Sequence, residues 1–286
     1  MIISGWRYYN HAAIPTNAPH EMPNLEPVNN GMIWKMERHP LLARWTTDWD
    51  CGYETGWWYV IKDEPFDISG LKAKRRYEIT KGSRNFDVLE IDTSQYVNEL
   101  LNITQLAFNE YPIKYRPAID KEKFINSMKK PHYYRTYGAF SKENGELCGY
   151  VQIDKKGIEL DLCVLKTIPK QEKLGINAAM IYKVICDFSE HLKSGYICDG
   201  TRNIYHETAF QDYLEKYFGF RKAYCKLHIR YRGGIGMVIR ALQRKQAFVS
   251  RFGNSKLGHM LIALIKMDEI ARGENLIKRK NYMRKR

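Results

Sequence analysis

Glu159 and Asp161 stand two residues apart in a run where Ile158, Leu160, Leu162 and Val164 alternate with Glu159, Asp161 and Cys163. Period-two alternation belongs to a strand with one buried face, and it sends both carboxylates away from that face. Paired carboxylates are candidates for moving a proton. Further along are Asp199 and His206, the latter a side chain whose unperturbed pKa is near about 6.5, and Tyr213 and Tyr217 flank Glu215. Between these groups, Gln171-Glu172-Lys173-Leu174-Gly175-Ile176-Asn177-Ala178 leads into a helical pattern. A helix starting beside the end of a splayed strand presents unpaired N–H groups and a positive dipole end, which is a site for an anion. The structural alternative is that Gly175 eases a tight turn into a core helix.

The elements that must hold these residues follow from periodicity and turn chemistry. Tyr134 to Phe140 and Leu147 to Ile153 are β-rich runs separated by Ser141-Lys142-Glu143-Asn144-Gly145-Glu146, and Lys155-Lys156-Gly157 leads into the run bearing Glu159. Asn-Gly and Lys-Gly favour hairpins, so a three-strand meander is expected. Ile176, Met180, Ile181, Val184, Ile185, Phe188 and Leu192 then recur at spacings of three and four, one broad apolar face of a helix that Ser194-Gly195 would end. Tyr196 to Cys198 reads as a short strand, His206 to Phe218 as a helix, and Gly219-Phe220 opens a last strand.

This order, with the loop at 171–178 and the Gly-Phe pair, resembles the GNAT acyltransferase superfamily over roughly residues 86 to 231. Upstream, Leu71 to Gly82 followed by Phe86 to Ile91 looks like the basic helix and strand of Fem-type peptidyltransferases and of GNAT-like proteins encoded with surface-polysaccharide enzymes. Asp67 or Ser69 would cap that helix and Gly82 end it, while Thr93 or Ser94 would cap the next, carrying Val97, Leu100, Leu101 and Leu106. The resemblance implies an α+β fold with a mixed, mainly antiparallel central sheet flanked by helices. It implies direct attack of an amine or hydroxyl on an acyl-CoA thioester, with acetyl-CoA or another acyl-CoA as co-substrate. The CoA pyrophosphate would meet Lys173, Leu174, Gly175, Ile176, Asn177 and Ala178. Here the motif's first position is Glu172 and its last small residue is Asn177, both departures from the family pattern. Backbone N–H groups of Cys163, Val164 and Leu165 would serve the oxyanion. Glu159, Asp161, Asp199 or His206 would act as base. The family's usual acid is a Tyr four residues before the Gly-Phe pair, and that position is Glu215, between Tyr213 and Tyr217.

Composition bounds the rest. With 286 residues, 44% hydrophobic, the chain can bury one large core or two smaller ones. No run reaches the roughly 18 apolar residues of a spanning helix, the start lacks a signal peptide's pattern, and six cysteines show no C-x-x-C pair. A cytoplasmic protein with free thiols is expected. The histidines show no metal spacing, and no metal is expected. All six tryptophans fall in the first 65 or so residues among Pro15, Pro19, Pro23, Pro27 and Pro40, which favours short strands and loops over a long helix. Their rings would pack a core or form a wall for a sugar or peptide. From Arg232 to Arg286 the net charge is +11 of the chain's +14. Two amphipathic patterns there, Ile235 to Leu242 and Leu257 to Ile265, suit helices docked on the core, with attachment to an anionic membrane surface as a second role.

The expected organisation is thus an N-terminal lobe over 1–82, a GNAT-like domain over 83–231 and a basic helical extension over 232–286. Three functions fit: acyl transfer from acyl-CoA to a small-molecule or lipid-linked sugar acceptor, a Fem-like transfer from aminoacyl-tRNA, or a GNAT-shaped module that binds membrane or nucleic acid without catalysis.

Overall fold

The computed structural model describes residues 1–113, 116–130, 132–204, 209–244 and 255–273. In chain order the regular elements are β1 (Trp6–Tyr9), β2 (Ala12–Pro15), α1 (Glu26–Asn29), β3 (Leu42–Thr47), β4 (Trp57–Lys62), α2 (Ala73–Asn85), β5 (Phe86–Glu90), α3 (Val97–Asn109) and α4 (Lys121–Lys129). Then come β6 (Arg135–Ser141), β7 (Leu147–Lys156), β8 (Glu159–Thr167), α5 (Pro169–Glu172), α6 (Ile176–Asp187), β9 (Tyr196–Thr201), α7 (Ala209–Phe218), β10 (Arg221–Tyr231), α8 (Ile235–Arg244) and α9 (Lys256–Ala271). The chain divides into two compact units. One draws its described residues from 1–60, 201–209 and 222–286, the other from 61–200 and 210–221.

In the second unit, β5, β6, β7 and β8 form an antiparallel meander, and β9 joins β8 in parallel. Every residue from Leu147 to Ile153 is buried, as expected for a strand covered on both faces. One cover is α3 with α4, where Leu100 and Ile103 meet Leu147 and Tyr150. Thr104 anchors the buried Tyr150 hydroxyl at 2.7 Å.

The helix α6 is apolar nearly all round, with Ile176, Ala178, Ala179, Met180, Ile181, Val184 and Ile185 buried. It stops at Asp187, earlier than the apolar spacing suggests. Phe188 and Leu192 still reach the core from the following turn and from the 3-10 segment His191–Lys193.

Three local expectations are corrected. Asp67 and Ser69 do not cap α2; they bond each other in a turn, and the helix begins at Ala73. Gly82 does not end α2, which continues to Asn85. It sits where a Cβ would fall 2.3 Å from the Gly175 carbonyl oxygen and 2.9 Å from the Ala179 nitrogen, so its role is close helix packing. Thr93 and Ser94 do not cap α3. They lie in a 3-10 turn capped by Asp92, which accepts from the Ser94 N–H.

The first unit is a sheet in the order β1-β2-β3-β10-β4. Neighbouring residues alternate between its faces. Ala12, Leu42 and Trp57 face a core completed by α8 and α9, and Ala13 and Ala43 face one with Trp6, Val28 and Ile33. Trp6 and Trp57 are buried and Trp34, Trp45, Trp49 and Trp58 half-buried, so most of the tryptophan content is packing. Among the described residues no helix is long and apolar enough to cross a membrane. All six cysteines are free thiols.

Candidate active site

The β7–β8 turn at Gly157 sets the first part of the site. It places Lys156 opposite Glu159 and Asp154 opposite Asp161. Lys156 Nζ lies 3.9 Å from Glu159 Oε2 and 3.6 Å from Asp161 Oδ2, bridging the two carboxylates. Across the parallel pair, Asp161 is opposite Cys198, whose buried thiol bonds the Glu159 carboxyl.

Glu159 is only 3% exposed, and its Oε2 has no hydrogen-bond partner among the described residues. Burial, reinforced by the negative charge of Asp161, pushes its pKa up to about 8, against the partial relief of Lys156. The Cys198 thiol is also pushed well up, mainly by burial.

The second part is a break in pairing. Gln152 faces Val164 and Ile153 faces Leu162, so Cys163 is the extra residue of a bulge. On its other side, β8 pairs with β9 only through Glu159, Leu160 and Asp161. Beyond that point the two strands run on without a pairing between them among the described residues. Cys163, Val164 and Leu165 lie on this segment, two to six residues from the carboxylates.

Asp199 belongs to a different surrounding. It follows Cys198 on β9, so alternation turns it to the opposite face, where Gln211 of α7 bonds it. Burial raises its pKa to about 7. Tyr213 and Tyr217 lie together on α7, rings 4.9 Å apart, and burial raises the Tyr213 hydroxyl above its ordinary value. Glu215 is half-buried between them in sequence. His206 lies outside the described residues.

The loop before α6 is a built structure. Gly175 holds φ +86° at the N-terminus of the helix, and its carbonyl approaches the backbone of Gly82. Asn85 Nδ2 donates to the Leu174 carbonyl at 3.0 Å, and Thr167 donates to Glu172 at 3.2 Å. Lys173 and Leu174 are exposed, Ile176 and Ala178 are buried, and the buried Asn177 Oδ1 has no partner among the described residues.

For an anion such as the CoA pyrophosphate, Lys173 and the first N–H groups of α6 suit the charge. The Glu172 carboxylate and the close cover of α2 over Gly175 oppose it. Among the described residues no three His, Cys, Asp or Glu are disposed to hold a metal.

This chain is similar to L-PGS from Bacillus licheniformis. The match has 13% identity and a TM-score of 0.53, covering 93% of this chain and 85% of that one. The C-terminal domain of a candidate lysylphosphatidylglycerol synthetase from Agrobacterium fabrum matches with 11% identity and a TM-score of 0.50, over 85% and 84% of the two chains. Likeness at this identity is a likeness of fold. No protein-family profile matches the sequence, and no curated protein matches it.

Lys156 and Cys198 were not singled out in the sequence. The signal for Lys156 was present: a Lys-Gly turn two residues before Glu159 makes a cross-strand partner. For Cys198 there was none, since its pairing with Asp161 depends on a parallel register between distant segments.

Proposed function

We propose that this protein is a transferase that moves an acyl or aminoacyl group from an activated carrier to an amine or hydroxyl acceptor, with Glu159 as the proton acceptor. The observation that carries this reading is a buried carboxyl with pKa about 8, set beside a bulge where two parallel strands part. Attack of the acceptor on the carrier's carbonyl forms the new C–N or C–O bond and breaks the bond to the carrier. The acceptor's proton passes to Glu159, directly or through water, and the departing thiolate or alkoxide takes up a proton. N–H groups from Cys163 to Leu165 would hold the oxyanion, a contribution worth about 3 kcal/mol per donor in enzymes that use it. Lys156 lowers the cost of ionising Glu159 when the site works.

The acyl-CoA reading rests on the splay of β8 and on the helix N-terminus at Gly175. Aminoacyl-tRNA as donor is favoured by two other observations: the cover of α2 over that N-terminus and the fold likeness to the Agrobacterium fabrum domain, whose name, lysylphosphatidylglycerol synthetase, gives an aminoacylated lipid as product. For the acceptor, a cell-surface precursor, sugar or lipid at an anionic membrane suits the charge of 232–286.

Calorimetric titration with acetyl-CoA, using Gly175→Trp as control, tests the first donor. Micromolar binding lost in the variant supports it, and no binding at millimolar ligand sinks it. Charged tRNA is tested in parallel at two salt concentrations, since phosphate contacts release counterions. If neither carrier binds, the transferase proposal fails.

A further inference from the structure

A second polar site lies in the first unit, far in composition from the carboxylate cluster. A cavity of about 210 Å³ opens between the β1–β2 turn, the start of β3, residues 201–204 and one face of α9. Its polar lining includes His11, Arg44, Arg202 and Asn203, and its apolar wall includes Trp57, Leu264 and Met267. Among the described residues no Asp or Glu lines it. Arg202 is held in place by its bond to the Gly56 carbonyl at 2.6 Å and by stacking 4.2 Å over the Trp58 ring, and Arg44 lies 5.4 Å over the Trp57 ring. Trp57 is 2% exposed, and its Nε1 is a buried donor with no acceptor among the described residues. Such a donor is explained when a ligand supplies the acceptor.

The turn at the rim gives an independent sign. Tyr9 pairs with Ala12, so Asn10 and His11 are the two central residues of the hairpin, with φ of +46° and +66°. Turns of this kind favour Asn-Gly, because both central residues need positive φ. Here the second place holds histidine, bonded to the Tyr8 hydroxyl at 3.1 Å. A strained non-glycine residue at a cavity rim is a common mark of a functional site.

We infer that this cavity binds a small organic anion, a carboxylate or phosphate monoester with a short apolar body. The charge lies against Arg44 and Arg202 with His11 at the rim, and the apolar part lies against Trp57, Leu264 and Met267. The inference does not depend on the transfer reaction.

The test is calorimetric titration of the full chain with hexyl phosphate and hexanoate, and with inorganic phosphate, hexylamine and hexanol for comparison. Hexyl phosphate or hexanoate should bind at least about tenfold more tightly than each of the other three, and which of the two is preferred identifies the anionic group. Arg44→Gln should weaken binding about tenfold. Leu264→Trp should abolish it by filling the cavity. His11→Gly should raise the Tm by about 2–4 °C while weakening binding, because the turn relaxes as the rim is lost. Should Leu264→Trp fail to fold, Arg44→Gln and His11→Gly decide the matter. The inference is overturned if neither anionic probe binds at about 10 mM, if hexylamine or hexanol binds as tightly as the anions, or if the folded variants bind as the parent does.

Discussion

At the scale of single residues, burial turns Glu159 from an ordinary surface carboxylate into a group that exchanges its proton near neutral pH. Because its pKa stands near 8, the base form grows as pH rises, and kcat/KM should climb through that region. Glu159→Gln should lower kcat by about 100-fold or more. The same shift acts on stability with a definite sign. Between the ordinary value of 4.5 and about 8 the native state holds a proton that the unfolded chain has released, so this group lowers stability as pH rises through that window. Glu159→Gln should therefore match the parent in Tm near pH 4.5 and exceed it by about 3–6 °C near pH 9, as read by thermal melts. Equal Tm values at pH 9 would show that the carboxyl is not desolvated. The alternation that turns Asp161 with Glu159 was plain in the sequence. That Glu159 is buried while Asp161 is half-buried was not, because burial at a strand's first residue depends on what covers it.

Among the elements, the packing of α2 on α6 is the contact most sensitive to a single atom. A methyl at position 82 has no room between the Gly175 carbonyl and Ala179, so Gly82→Ala should cost about 3 kcal/mol or more in denaturant unfolding. A loss under 1 kcal/mol would mean the helices can separate. The basic character of α2 was legible, and its start and end were not. The same glycine reads as a helix stop in sequence and serves as a contact in the fold, because close approach of two backbones is a tertiary event. The helix α8 carries another consequence. Ile239 and Gly236 are buried while Met237 and Val238 are 68% and 57% exposed beside Arg240. Replacing both with Glu should reduce sedimentation with phosphatidylglycerol vesicles at least about fivefold if this face meets a membrane, and unchanged sedimentation would exclude it.

Over the whole molecule, charge and connectivity pull in different directions. The net charge of +11 over 232–286 marks that stretch as distinct in sequence, yet α8 and α9 share one core with β3, β4 and β10. Ending the chain after Gly273 removes six Lys or Arg and one Glu, and should shallow the salt dependence of tRNA or vesicle binding while leaving the Tm within about 2 °C. An unchanged salt slope would locate the contacts elsewhere. Local rules were enough for the meander, the apolar helix α6, the Gly-marked turns and the short strands of the tryptophan-rich start, since each depends on residues near in sequence. Tertiary structure alone decided the parallel register that sets Cys198 beside Asp161, the cover of α2 over Gly175, and the cavity that Trp57 shares with Arg202. Those arrangements join residues from 37 to 145 positions apart by sequence number, and a periodic pattern carries no information about which distant partner will fill the opposite side.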